Sequence, residues 1–304
     1  MDTRMTFSLL DFEPWMASQL ALVERSLSQW VRPDAPAGLG ESMRYAVLDG
    51  GKRLRPLLVL GACEAAGGHE PAALRAACAV ELIHAYSLVH DDMPCMDNDV
   101  LRRGKPTVHV QFGEALALLA GDALQALAFE LLTPADGSMP PAMQADLCRL
   151  LAGAAGGNGM AGGQAIDLAS VGRALSEPEL RGMHKLKTGR LLQASVMMGA
   201  ACAHSPLSPT AQAALAEYGE AIGLAFQVVD DILDVIADSA VLGKTAGKDA
   251  AADKPTYVSI MGLERSQALA DELLAEAHRA LLESGLPSVS RLRALADLVV
   301  KRQK

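Results

Sequence analysis

Aromatic residues are scarce in this sequence, since phenylalanine, tyrosine and tryptophan together make up 4% of its 304 residues. Strict alternation of apolar and polar residues, which marks a half-buried strand, is also missing. Hydrophobic residues nevertheless account for 50% of the chain, and alanine, leucine and glycine dominate. This composition argues against an aromatic-rich β-sandwich and favours closely packed helices.

The sequence has no excess of positive charge and no paired cysteines. Its formal net charge is −9, so it lacks the basic character of a nucleic-acid-binding protein. The five cysteines are odd in number, lie far apart and form no CxxC pair, which predicts buried thiols in a reducing compartment. They are Cys63, Cys78, Cys95, Cys148 and Cys202.

Long uncharged apolar segments are missing as well. The first residues include acidic side chains and no apolar run long enough for a signal peptide. No stretch of about 18 uncharged apolar residues occurs, so we expect no membrane span. Together with the cysteine pattern, these absences predict a cytoplasmic protein that neither spans a membrane nor binds nucleic acid.

Proline and glycine clusters divide the chain into helix-length segments whose apolar residues recur at intervals of three and four. We therefore predict one all-α domain, residues 1–304, with roughly ten or more helices. The longest irregular stretch, 238–256, carries Lys244, Lys248 and Lys254. A loop of this length is either functional or an ordinary solvated surface loop.

Two clusters of aspartates stand in otherwise apolar segments. In the second cluster, Asp230 and Asp234 are four residues apart, so both carboxylates project from one helix face, which Gln227 shares. In the first cluster, Pro94 predicts that the helix ends near Asp92, where acidic side chains oppose the helix dipole by up to about 1 kcal/mol. Such unfavourable arrangements indicate a compensating cation.

The ligand types in these clusters indicate which cation that is. Carboxylates without histidine or cysteine suit Mg²⁺ that keeps some waters and bridges to phosphate. One aspartate cluster alone would be typical of a solvated helix end. Two such clusters in a helical chain predict a shared diphosphate site.

Basic side chains are available to complete such a site. Lys52, Arg53 and Arg55 follow two glycines, and cations at the start of a helix are unfavourable without an anion. Arg102 and Arg103 follow the first aspartate cluster. Arginine provides bidentate phosphate contacts and lysine a point charge, so both groups are candidates for binding phosphate.

Further polar residues lie at helical spacing. His84 and Ser87 fall on the helix face of Asp91, although a lone histidine is more often a packed core residue. The face common to these residues favours a functional interpretation for His84. The remaining candidates are less specific and comprise Gln164 with Asp167, and Lys187 with Thr188.

Several motifs in a fixed order resemble those of the trans-isoprenyl diphosphate synthases, over about residues 40 to 264. The resemblance is greatest to the bacterial farnesyl diphosphate synthases. It implies an all-helical homodimer with a central cavity between the two aspartate motifs. The motifs are GGKRLRP, LIHAYSLVHDDMPCMDNDVLRRGKPT, GMAGGQAIDL, KLKTG, FQVVDDILD and LGKTAGKDAAADKPTY.

The resemblance also implies a reaction and a set of metal ligands. Isopentenyl diphosphate would condense head to tail with an allylic diphosphate by ionisation, condensation and elimination. Asp91 and Asp97 would hold two Mg²⁺ ions and Asp230 the third, in a site of three ions. Residues that ligate or orient nearby would be Asp92, Asp231 and Asp234.

Two groups of side chains are implied as ligands of the two diphosphates. One group would bind the allylic diphosphate and comprises Arg102, Lys187, Thr188, Gln227 and Lys244. The other would bind isopentenyl diphosphate and comprises Lys52, Arg55, His84 and Arg103. Lys254 and Arg302 are implied to close over the site.

Other functions within this fold class are less consistent with the sequence. A terpene cyclase usually replaces the second aspartate motif and lines its cavity with aromatics, whereas this chain has two aspartate motifs and few aromatics. A non-catalytic subunit tends to lose one motif. Geranyl or geranylgeranyl diphosphate synthases remain alternatives. One departure from many relatives is Val100, which replaces an acid and predicts weaker metal binding.

The product length is expected to depend on Tyr86. This residue lies five positions before Asp91, about 7.5 Å back along the helix axis and about 140° around it. Ser87 points nearer the aspartate face but is too small to block a growing chain. Geometry leaves core packing and a cavity floor equally open, and the resemblance favours the floor. We therefore expect a fifteen-carbon product.

Overall fold

The computed structural model describes residues 9–48, 50–173, 175–240 and 256–302, and this part of the chain is mostly helical. The predicted all-α fold is confirmed. Besides a π-helical turn (Lys185–Gly189) and a short 3-10 turn (Pro36–Gly38), the described residues form fourteen α-helices. They are α1 (Leu9–Trp30), α2 (Leu39–Val47), α3 (Leu54–Ala65), α4 (Glu70–Asp91), α5 (Val108–Phe112), α6 (Glu114–Leu132), α7 (Pro141–Ala155), α8 (Met160–Ala169), α9 (Glu177–His184), α10 (Arg190–Ala201), α11 (Pro209–Ala240), α12 (Tyr257–Met261), α13 (Leu263–Glu283) and α14 (Ser290–Lys301).

The helix ends follow local chemistry. Helix α4 begins after His69, whose Nδ1 accepts a hydrogen bond from the Ala72 N–H at 3.1 Å, and it ends at Asp91, three residues before Pro94. Helix α9 begins with a capping box in which Ser176 and Glu179 satisfy each other's backbone N–H groups. The breaker clusters of the sequence therefore mark the connections between helices, as predicted.

Helix α4 forms the centre of the fold. It packs against α3, α6 and α10, and its alanines at 72, 73, 76, 77 and 79 are completely buried. Side chains this small let neighbouring helices approach closely, which accounts for the low aromatic content. Helix α11 forms a second centre against α10 and α13. The first aspartate motif therefore begins at the end of α4, and the second lies within α11.

A small β-hairpin follows the first aspartate motif. Strand β1 (Leu101–Arg102) pairs antiparallel with β2 (Lys105–Pro106), and Arg102 lies opposite Lys105. Arg103 and Gly104 between them have φ of 52° and 79°, which is the geometry of a tight hairpin turn. The hairpin was not predicted from the sequence. It folds the Arg102 side chain back toward the end of α4.

The structure bears on two expectations from the sequence, the burial of the cysteines and the absence of a membrane span. Cys63, Cys78 and Cys202 are buried as predicted, but Cys95 is exposed in the turn after α4, so burial of all five thiols was wrong. Helices α4 and α6 are long and apolar enough to span a membrane by length and composition alone. Helix α4 is 72% buried and belongs to the core, whereas α6 is only 39% buried.

Candidate active site

A cavity of about 380 Å³ opens between α4, α8 and the π-helical turn. Its lining combines charged and polar side chains with apolar side chains of α8. Eight of the candidate residues from the sequence meet on its wall, including the His84–Ser87–Asp91 face expected from helical spacing. The eight are Arg55, His84, Tyr86, Ser87, Asp91, Gln164, Lys187 and Thr188.

The two adjacent aspartates at the end of α4 have different surroundings. Asp91 lines the cavity, and burial raises the pKa of its carboxyl to about 6, with Lys187 opposing and Asp97 reinforcing this effect. Asp92 is 2% exposed and accepts hydrogen bonds from Arg102, at 2.8 Å from Nε and 2.6 Å from Nη2. Asp91 therefore faces a ligand, whereas Asp92 anchors the hairpin.

Arg102 lies beside the first motif, and part of its guanidinium is used in hydrogen bonds to Asp92. Burial lowers its pKa, but hydrogen bonds and charge from Asp92 raise it more, together with the charges of Asp91 and Asp97. Its side chain is 35% exposed. The guanidinium is therefore held in one orientation at the mouth of the site by Asp92.

The second motif shows the same division between its adjacent aspartates. Asp231 is 4% exposed and accepts hydrogen bonds from the Tyr257 N–H at 2.8 Å and from Gln227 Nε2 at 3.0 Å. Asp230 is half-buried and forms an ion pair with Arg302 from the end of α14. Burial raises the pKa of the Asp230 carboxyl, while the positive charge of Arg302 opposes this shift.

The π-helical turn connects the cavity to both motifs. Lys187 Nζ donates to Asp167 Oδ2 of α8 at 2.5 Å. Helix α8 approaches this closely because residue 163 is glycine, where a Cβ would lie 2.2 Å from the Lys187 backbone nitrogen. Thr188 Oγ1 donates to Gln227 Oε1 at 3.3 Å, which joins the turn to α11. Lys187 thus lies on the Asp91 side of the cavity and Thr188 on the side of the second motif.

Arg53 differs from the two neighbouring cations. It adopts a left-handed conformation with φ of 45°, and its side chain is 3% exposed. Its guanidinium donates to Glu24 at 2.7 Å, to Glu81 at 2.6 Å and to the Val47 carbonyl at 2.6 Å. Its charge is neutralised within the protein, so Arg53 holds the loop in place rather than binding an anion. Sequence reasoning missed this role because both acidic partners are distant in the chain.

The remaining basic groups point toward the site. Lys52 is exposed, and burial of its stem and the charge of Arg302 lower its pKa. Arg55 lines the cavity, and burial lowers its pKa while Glu81 and Asp230 oppose the shift. Arg103 donates to the Gly50 carbonyl at 2.6 Å, which ties the hairpin to the glycine loop.

His84 is electrically neutral in this environment. Burial, and then the positive charge of Arg55, hold its pKa well below the usual 6.5. A neutral imidazole donates from one nitrogen and accepts at the other, so His84 offers a hydrogen-bond donor without a charge. The buried Nε of Arg55 and both amide atoms of Gln164, which also line the cavity, have no hydrogen-bond partner within the described part of the chain. Unsatisfied buried polar atoms of this kind indicate a polar ligand.

The residues fit Mg²⁺ only if phosphate provides further ligands. Among the described residues, no three His, Cys, Asp or Glu side chains converge on one point. Asp91 and the exposed Asp97 are held near each other by the Asp97 N–H, which donates to the Asp91 carbonyl at 2.9 Å. A few carboxylate oxygens facing a basic cavity suit Mg²⁺ that shares its coordination with water and a diphosphate. The donor set is therefore consistent with that ion.

Some predicted residues lie elsewhere. Lys244 and Lys254 fall outside the described residues. Asp234 is half-buried one turn beyond Asp230 on α11, as the spacing predicted. Val100 is 59% exposed between the first motif and the hairpin.

The chain is similar to known proteins along nearly its whole length. The polyprenyl synthetase family matches residues 36–284. A probable farnesyl diphosphate synthase of Bradyrhizobium diazoefficiens is 48% identical over 287 residues, covering 93% of this chain and 86% of the relative. The heterodimeric geranylgeranyl pyrophosphate synthase large subunit 1, chloroplastic, of Arabidopsis thaliana is 46% identical over 301 residues, covering 97% of this chain and 81% of the relative.

A solved structure shows the same likeness in three dimensions. The apo crystal structure of an FPP/GFPP synthase from Zymomonas mobilis superposes with a TM-score of 0.84 and 39% identity. The match covers 96% of this chain and 99% of the other. The names of the two relatives and of the Zymomonas mobilis protein all describe prenyl diphosphate synthases, but they specify different products.

Proposed function

Because the chain belongs to the polyprenyl synthetase family and is a prenyltransferase, we propose that it makes farnesyl diphosphate from isopentenyl diphosphate and dimethylallyl or geranyl diphosphate. The family predicted from the motifs is confirmed. One observation carries the proposal of this product. Asp91, Lys187 and Arg55 line the cavity, and Tyr86 lines it five residues before Asp91 on α4.

The proposed ligands divide between metal and substrates. Asp91, Asp97 and Asp230 would hold Mg²⁺, which when bound would offset the charge that develops on the leaving diphosphate. The remaining assignments follow the family resemblance, and Arg55, His84, Lys187 and Thr188 among them line the cavity. Arg102, Lys187, Thr188, Gln227 and Lys244 are proposed for the allylic diphosphate, and Lys52, Arg55, His84 and Arg103 for isopentenyl diphosphate.

These residues support ionisation followed by condensation. Lys187 and Thr188 would hold the allylic diphosphate as its C–O bond breaks, because fixed donors stabilise developing negative charge. Arg55 and His84 would orient the isopentenyl double bond toward the allylic carbon. A carbon–carbon bond then forms, and the released diphosphate accepts the proton that leaves the new chain. The apolar wall keeps water from the cationic carbon.

A twenty-carbon product is the alternative. It is favoured by the geranylgeranyl synthases among the relatives and by Ser87, which lines the cavity and is small. The Ser87 hydroxyl turns back to the His84 carbonyl at 2.8 Å, so it does not narrow the space. The Tyr86 ring does reach the cavity, although its helical position is rotated away from Asp91. This placement supports the shorter product.

Helix α6 supports the proposal that two copies form a homodimer. Its most apolar 18-residue stretch has a mean hydropathy of 1.6, yet only 39% of that stretch is buried, and Leu118 and Leu119 are about half exposed. A large exposed apolar face on a helix of this kind indicates a protein interface. Leu119→Glu should convert the protein to monomers in light scattering. Leu282→Glu is the control, because Leu282 is 68% exposed on α13. A dimer that survives Leu119→Glu would contradict this interface.

The experiment that tests the function is direct. The purified protein is incubated with Mg²⁺, isopentenyl diphosphate and dimethylallyl diphosphate, and the dephosphorylated products are sized by chromatography. We expect farnesol as the main alcohol and no product when Mg²⁺ is removed with a chelator. A main product of twenty carbons would favour the alternative, and no condensation at all would overturn the function. A single domain over residues 1–304 and a cytoplasmic location remain predictions.

A further inference from the structure

His90 connects the wall of the cavity to helix α6. Its Nε2 lies 3.1 Å from the Leu118 carbonyl, and because a carbonyl only accepts, Nε2 carries the proton and donates. The imidazole also lies edge-on to the Tyr86 ring, with centroids 5.7 Å apart and planes at 73°. Both rings line the cavity. His90 is therefore one contact that links α6 to Tyr86.

Gly121 provides the space that this arrangement needs. A Cβ at position 121 would lie 2.0 Å from Nε2 of His90 and 2.5 Å from its Cδ2. Gly121 lies inside α6, where glycine costs about 0.5–1 kcal/mol relative to alanine. The backbone at Gly121 has ordinary helical geometry, which any residue could adopt. Glycine is required there because a Cβ would overlap the His90 ring.

We propose that Gly121 and His90 are positioning residues for product length, because together they fix where Tyr86 closes the cavity. This inference rests on the proposed function, since chain elongation is what makes the position of the cavity wall measurable. Helix α6 fixes the His90 ring through Gly121 and the Leu118 carbonyl. The ring then limits how far Tyr86 can turn away from the growing chain.

The geometry predicts opposite effects for two substitutions. In Gly121→Ala, the new methyl would overlap the His90 ring, and we expect the ring to move away from α6, toward Tyr86 and the cavity. This narrows the cavity, and the ten-carbon share of the products should rise. In His90→Ala, the ring is lost and Tyr86 can turn into the vacated space, so the share of products longer than fifteen carbons should rise.

The double variant separates positioning from general damage. If Gly121 acts only through the His90 ring, Gly121→Ala/His90→Ala should give the long products of His90→Ala alone, because residues that act through one contact are not additive. The matched control is Gly153→Ala, a helical glycine of α7 with no atom within 4 Å of its Cβ. The control should keep the wild-type product profile.

The experiment compares dephosphorylated products of all variants from isopentenyl and dimethylallyl diphosphates, beside Tyr86→Ala. Circular dichroism checks that each variant folds, and the two variants that lack the His90 ring have no clash at position 121. Unchanged products in His90→Ala, or a double variant that retains the short products of Gly121→Ala, would overturn the inference. Wild type without condensation would refute the proposed function instead. Longer products in Tyr86→Ala with unchanged products in His90→Ala would leave the function intact and refute this inference alone.

Discussion

The two aspartate motifs use their adjacent acids in the same way but hold them with different partners. Asp92 is held by a cationic side chain, Arg102, whereas Asp231 is held by two neutral donors, the Tyr257 N–H and the Gln227 amide. The other acid of each pair differs as well, since Asp91 lines the cavity. Asp230 is ion-paired with Arg302 in the described structure.

In each motif, the two adjacent aspartates have separate roles. The buried acid fixes a neighbouring segment, which is the hairpin in the first motif and the start of α12 in the second. The other acid is left to interact with a ligand. In the second motif that ligand must displace or reposition a cation that the protein supplies. We therefore expect the two motifs to respond differently to substitution.

The largest expected effect on turnover comes from Asp91 and Asp230, the acid in each motif that is proposed to bind Mg²⁺. Asp91→Ala and Asp230→Ala should each lower kcat by about 10³-fold while the fold survives, because each removes charge that neutralises the leaving diphosphate. Turnover at saturating substrates and varied Mg²⁺ measures this. Asp271→Ala, an exposed acid of α13, is the control. Near wild-type turnover of both variants at limiting Mg²⁺ would show that the site is not shared by the two motifs.

The second effect distinguishes the cations beside each motif. Lys187→Ala should raise the KM of the allylic diphosphate, and Lys52→Ala that of isopentenyl diphosphate, each by about 10–100-fold. A hydrogen bond to a charged group is worth about 1.5–3 kcal/mol, which corresponds to this range. Separate titrations of the two substrates provide the measurement. Equal damage to both KM values in each variant would argue against separate diphosphate sites.

The third effect concerns the buried acids. Asp92→Asn should lower the free energy of unfolding by about 2 kcal/mol, because the carboxylate charge facing the Arg102 guanidinium is lost and one acceptor oxygen is replaced by an NH₂ group. Asp231→Asn should cost about 1 kcal/mol, since its remaining oxygen still accepts from one neutral donor. Urea unfolding of both variants measures the difference. An equal or larger cost for Asp231→Asn would mean that the nature of the partner does not matter.

The smallest effect concerns Arg302. If this guanidinium competes with metal for Asp230, Arg302→Gln should lower the Mg²⁺ concentration for half-maximal turnover a few-fold. Arg293→Gln on the same helix, where the side chain is exposed, is the control. A higher Mg²⁺ requirement in Arg302→Gln would show that Arg302 assists binding, as its implied closing role suggests.

Much of the site could be predicted because it depends on local spacing. Pro94 after Asp92 predicted the end of α4, and the spacing of His84, Ser87 and Asp91 predicted their common face on the cavity. These inferences need only the helical period and the limits of proline. The all-α fold followed from the same period.

The rest depends on contacts between distant segments, which spacing does not encode. Arg53 looks like a phosphate ligand until Glu24 and Glu81 are seen to surround it. The anchoring of Asp231 requires the Tyr257 N–H from another helix. The close packing of the His90 ring of α4 against Gly121 of α6 is likewise a contact between separate helices. In each case the partner was visible in the sequence as a residue type but not as a neighbour.

The π-helical turn changes the phase of a helix that otherwise continues from α9 into α10. A π-turn accommodates one extra residue, so side chains after it are rotated by about 100° relative to an unbroken α-helix. Leu180 and Leu191, on either side, are both buried, although they pack into different clusters. Deleting one residue from this turn would restore the α-helical phase. The apolar face of α10 could then be buried, or Lys187 could line the cavity, but not both. The extra residue lets one helix meet both requirements.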